Sequence, residues 1–115
     1  MTIRELIDTR RLEIQNSTAL TPERAAQILV ELSALYGTIN EEIRKRDMEY
    51  NKVLLKCLEE ETKANRAKIR AEISDEYQAK RIARDTKEVC EEMIRSLKYY
   101  LRSEEDELRH VSMKY

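Results

Sequence analysis

The sequence predicts an all-α chain: a long antiparallel helical hairpin, coiled-coil-like, with a short N-terminal helix, completing a helical bundle by oligomerisation. Three observations predict it. Gly and Pro occur once each and Phe and Trp are absent, so the usual turn formers and bulky core aromatics of a sheet-based fold are missing. Charged residues make up 39% of the 115-residue chain and hydrophobic ones 41%, the balance of amphipathic helices. Apolar residues also recur at alternating three- and four-residue steps along two stretches, the spacing of helices packed side by side. The length suits one domain spanning residues 1–115.

Residues 2–15 form a short helix, with Thr2 as N-cap and Ile3, Leu6, Ile7 and Ile14 as its apolar face. Residues 16–20 (Asn16-Ser17-Thr18-Ala19-Leu20) read as a linker. Thr21-Pro22-Glu23 then supplies a hydroxyl cap, Pro in the first helical position and an acid in the first turn. The long helix over 22–73 has the seam Leu29, Leu32, Tyr36, Ile39, Ile43, Arg46, Tyr50, Val53 and Cys57, then Glu60, Ala64, Ala67 and Ala71.

Gly37 is the one interruption in that helix. It can end a helix before a Thr38-to-Glu41 capping box, or sit inside a continuous one. The seam keeps its phase across it, which favours continuity. Ser74 or Asp75 caps the last helix, 75–112, with seam Ala83, Thr86, Cys90, Met93, Leu97, Tyr100, Glu104, Leu108 and Val111.

Folding the chain back at Ser74 sets Ala64 opposite Ala83, Cys57 opposite Cys90, Tyr50 opposite Leu97, Ile39 opposite Leu108 and Tyr36 opposite Val111. Each leg is then on the order of 50 Å long. Ile28, Leu35, Met48, Leu55, Leu58, Val89, Ile94 and Leu101 lie off the seam. They form a second face for the N-terminal helix or another subunit, so a homodimer or higher homo-oligomer is expected.

The net charge of −1 gives the whole chain no strong field toward DNA or an anionic membrane. No apolar stretch approaches a membrane span or the run of a signal peptide. The two cysteines have no metal or pairing pattern, which suits a reducing compartment and a cytoplasmic protein.

Local charge is more informative. Lys63, Arg66, Lys68, Arg70, Lys80, Arg81, Arg84 and Lys87 fall in a window holding four acids, at the expected hairpin tip. With Tyr77 to stack on a base, they form a candidate anion or nucleic-acid site; a solvated helix surface explains the same run. Glu104, Glu105, Asp106 and Glu107 form a candidate acidic surface for a basic partner, or ordinary helix surface paired with Arg44, Lys45 and Arg46. Arg46 and Glu104 interrupt the seam, where an ion pair would set register.

Glu107 and His110 match the E-x-x-H spacing of di-iron bundles, but the single histidine means only a symmetric dimer could complete such a site. Cys57 and Cys90 read as small core residues. No nucleophile, phosphate loop or acid–base pair is evident, so neither catalysis nor a cofactor is expected. The tyrosines, the only aromatics, suit interfaces.

Leu32-Ser33-Ala34-Leu35-Tyr36, Lys63-Ala64-Asn65-Arg66-Ala67-Lys68 and Leu97-Lys98-Tyr99-Tyr100-Leu101-Arg102-Ser103 give residues 30–112 a layout that resembles small helical proteins from early regions of bacteriophage genomes. The resemblance implies a non-enzymatic accessory protein, of a kind encoded near recombination, single-strand-binding or anti-defence genes, in the cytoplasm of a host bacterium. It assigns no residue a role. The expectation is a stoichiometric inhibitor or adaptor acting on a protein partner. The alternative is a nucleic-acid or nucleotide binder using the basic tip, as an accessory to DNA replication or recombination.

Overall fold

A computed structural model describes residues 1–16 and 20–114, with side chains described as far as Val111. Ser17, Thr18 and Ala19 of the expected linker lie outside the described residues, as does Tyr115. The chain is all-α, with helices α1 (Ile3–Asn16), α2 (Pro22–Glu60), α3 (Ala64–Glu72) and α4 (Asp75–Lys114) and no strand among the described residues.

Local chemistry accounts for the helix starts. Glu5 N–H donates to Thr2 Oγ1 at 3.2 Å while Thr2 N–H donates back to Glu5 at 3.4 Å, a reciprocal capping box for α1. Arg24 N–H donates to Thr21 Oγ1 at 3.2 Å, and Pro22 takes the first position of α2, where a missing N–H loses nothing. Ser74 Oγ links two helices: it donates to Ala71 O at 2.5 Å and accepts from Tyr77 N–H at 3.2 Å, closing α3 and capping α4. α2 continues through Gly37, which is not at positive φ.

Two compact units divide the contacts, one of Met1–Gly37 with Glu88–Tyr115 and one of Thr38–Lys87. In the first unit α1, the start of α2 and the part of α4 from Glu88 onward bury Ile7, Ala25, Ile28, Leu32, Cys90, Met93 and Leu97. α1 is held to α2 by Arg24–Glu13 and Arg10–Glu31, both at 2.6 Å. Tyr36 donates to Glu91 Oε1 at 2.9 Å, and Tyr100 donates to the Leu20 carbonyl. Rising numbers on α2 therefore meet falling numbers on α4, the antiparallel arrangement of a hairpin.

In the second unit Tyr50, Cys57, Ala67 and Ala71 form a buried cluster against Val53, Leu54 and Tyr77. The Tyr50 and Tyr77 rings lie 5.4 Å apart and tilted, and Arg84 reaches Asp47 at 2.8 Å, so α2 and α4 are antiparallel here too. Thr86, the one buried polar side chain among the described residues, satisfies its hydroxyl on Ile82 O at 2.6 Å.

The register differs from the expected one, because the helix expected over 22–73 is two helices. α2 stops at Glu60, and the chain turns through an extended Lys63 (φ −114°, ψ 128°) before α3 begins. Glu59, Glu60 and Glu61 crowd the negative end of the α2 dipole with no basic residue in its last turn, which favours termination. Ala64, Ala67 and Ala71 thus leave the seam. Ala67 and Ala71 become the face by which a separate short helix packs closely on Tyr50 and Cys57.

Removing those residues slides the pairing along α4. Tyr36, expected opposite Val111, meets Glu91, about five and a half turns earlier. Tyr50, expected opposite Leu97, meets Tyr77. Cys90, expected against Cys57, lies with its thiol 3.5 Å from Leu32 O.

Candidate functional site

Of the expected basic tip, Arg70, Lys80, Arg81 and Arg84 are engaged inside the second unit. Arg70 bridges α3 to the end of α2 through Glu60 at 2.6 Å and Glu61 at 3.7 Å, and the hydrogen bond to Glu60 raises its pKa above the usual guanidinium value. Lys80 Nζ sits 4.5 Å from the centre of the Tyr50 ring, and the Arg81 guanidinium 5.9 Å from that of Tyr77. Arg84 pairs with Asp47, and Lys87 is half-buried. Tyr77, expected to stack on a base, is partly buried between its own neighbours. Burial, with Glu72 and Tyr77 nearby, pushes the Tyr50 phenol pKa up.

Lys63, Arg66 and Lys68 are exposed on α3. Just after them in the chain, Ile69 on α3 and Ile73 at its C-cap present large apolar side chains to water, 60% and 76% exposed. Arg66, Ile69 and Ile73 have i, i+3, i+7 spacing and share one face, turned away from the buried Ala67 and Ala71. The charge pattern marks the cations in the sequence but not the isoleucines that follow them.

In the first unit the expected acidic surface is present on α4: Glu105, Asp106 and Glu107 are exposed and Glu104 is half-buried. Glu105 pairs along the helix with Arg109 at 3.4 Å. The expected Arg46–Glu104 pair is not formed. Arg46 takes both its carboxylates from its own helix, Glu42 at 2.8 Å and Glu49 at 2.9 Å, and these hydrogen bonds raise its pKa.

A shallow groove of about 400 Å³ opens between α2 and α4, lined by Ser33, Tyr36, Glu91, Ile94, Arg95 and Lys98. Glu31 and Leu35 contact α1 on the other side of α2, since two residues advance about 200° around a helix. The groove and the α1 contact therefore lie on opposite sides of α2. Of the groove's lining, Tyr36 was expected on the seam and Ile94 on the second face.

Glu107 and His110 are exposed, and the described residues hold no cluster of three or more His, Cys, Asp or Glu side chains able to hold a metal. Both thiols are buried, and burial raises the Cys90 pKa. No described helix is long and apolar enough to cross a membrane. No family model, curated protein or solved structure matches the chain.

Proposed function

We propose that the chain is a non-enzymatic binding protein that engages a protein partner stoichiometrically through the outer face of α3. Exposure of Ile69 and Ile73 beside Arg66 is the observation that carries this reading. Fully covering one such side chain contributes roughly 1.5–3 kcal/mol. The flanking Lys63 and Lys68 select a partner surface with an apolar centre and an acidic rim. An inhibitor or adaptor of this kind agrees with the resemblance to phage accessory proteins, acting in a bacterial cytoplasm.

The basic character of α3 also supports a nucleic-acid reading, but Arg70, Lys80, Arg81 and Arg84 already have partners within the protein. The three exposed cations at α3, Lys63, Arg66 and Lys68, would give a log K against log salt slope of about −3 on duplex DNA. The deciding experiment compares the wild type with Ile69→Asp/Ile73→Asp in pull-downs from bacterial lysate and in DNA titrations across a salt series. Loss of a stoichiometric partner with helicity unchanged supports the proposal. A partner retained by the variant refutes it, as does DNA binding with that slope which Arg66→Glu abolishes.

A further inference from the structure

We propose that α4 carries a second seam by which two copies of the chain associate, each inserting the C-terminal half of its α4 into the open groove of the other. This surface belongs to the first unit, so the inference stands apart from the α3 reading above.

Three observations converge on it. Tyr100 donates to the carbonyl of Leu20, just ahead of the first residue of α2, yet α4 runs on to Lys114. Beyond Tyr100 the buried stripe of Cys90, Met93 and Leu97 continues into Leu108 and Val111, which are 68% and 52% exposed. No described helix covers them.

Alongside that stripe, Ile94, Lys98, Leu101, Glu105 and Leu108 follow in steps of four, three, four and three, a seam that begins in the groove and ends in the uncovered segment. Its apolar members stand seven residues apart. Its charged members are of opposite sign, with Lys98 in the groove half and Glu105 in the uncovered half.

Groove and occupant lie on one helix, so a two-fold axis satisfies both at once, the self-complementary condition of an isologous dimer. With the axis near Leu101, antiparallel pairing sets Ile94 against the second copy's Leu108 and Lys98 against its Glu105. Each pair then occurs twice. The groove between Tyr36 on α2 and Ile94 on α4 takes the incoming helix as its fourth member, completing the four-helix layout that one chain leaves open. The acidic run Glu104–Glu107 thereby meets the Arg95 and Lys98 side of the groove, giving the charge complementarity that selects a second copy as occupant.

Sedimentation velocity from about 1 to 100 μM tests this, a range spanning micromolar affinity. The wild type is expected to dimerise. Lys98→Glu and Glu105→Lys place like charges in both pairs, and each is expected to weaken the dimer at least tenfold. Both positions are exposed, so circular dichroism should show unchanged helicity. An equimolar mixture of the two variants restores opposite charges at both contacts and should form a mixed dimer of near wild-type affinity. Three outcomes overturn the proposal: a monomeric wild type at the highest concentration, a dimer indifferent to either reversal, or a mixture that fails to recover.

Discussion

Gly37 is the only glycine in the chain and sits inside the longest run of α2, so its replacement by Ala isolates backbone propensity. In a helix interior Gly is about 0.8–1 kcal/mol less favourable than Ala, from the backbone entropy it loses and the water it admits to the peptide groups. Nothing in this structure offsets that gain. A Cβ built at position 37 meets no atom within 4 Å, so Ala neither clashes nor fills space. The backbone is not at positive φ, so no left-handed strain is introduced.

Gly37→Ala should therefore stabilise by about 1 kcal/mol, raising the melting temperature by roughly 3–6 °C for a chain of this size. Urea and thermal denaturation followed at 222 nm measure it, with an unchanged urea slope showing that surface exposure on unfolding is the same. If Gly37 instead ended one helix before a capping box at Thr38, the left-handed C′ position would reject a Cβ and the same substitution would destabilise. A lowered midpoint refutes the continuous helix. Gly37→Pro supplies the contrast: it removes an intrahelical donor and should cost about 3 kcal/mol or more.

Two further predictions follow from the packing. Glu13 has its pKa lowered below the usual glutamate value of 4.5, chiefly by its hydrogen bond from Arg24, so its pairing stabilises the fold above that pH and is lost as pH falls through the lower, folded-state value. Thermal melts from pH 6 to 3 should show the wild type losing more stability below about pH 4.5 than Glu13→Gln does; parallel curves would remove the pair from the stability of α1. Ala71 is fully buried where α3 meets α2, so Ala71→Leu should destabilise by about 1–3 kcal/mol through overpacking, read as a lower urea midpoint; a change under about 0.5 kcal/mol would mean α3 is not closely packed there.

Fold class was legible because it rests on composition and period, which hold along the whole chain. The caps were legible for a local reason: Thr2, Thr21 and Ser74 each satisfy a backbone donor within three residues of themselves. Register was not, because it depends on where one helix ends. Ala64, Ala67 and Ala71 fit a seam by spacing alone, and a seam of alanines looks the same whether it extends a long helix or docks a short one. Three consecutive acids at Glu59–Glu61 held the distinguishing signal, since they oppose the dipole of any helix ending there.

The same shift changes what the charges can do. A tip drawn as one basic surface becomes two sets: Arg70 and Arg84 in ion pairs with Lys80 and Arg81 over tyrosine rings, and Lys63, Arg66 and Lys68 facing water beside Ile69 and Ile73. Spacing along the chain cannot separate these sets, because engagement depends on which carboxylate or ring the partner helix brings. Apolar exposure is hidden from sequence for the same reason: Ile69 and Ile73 are as hydrophobic as the buried Ile28 and Ile39, and only the face on which the alanines sit turns them outward. A surface that combines uncovered isoleucines with unengaged cations is suited to a partner that supplies both apolar area and negative charge, a requirement that an acidic protein surface meets and a phosphate backbone meets only in part.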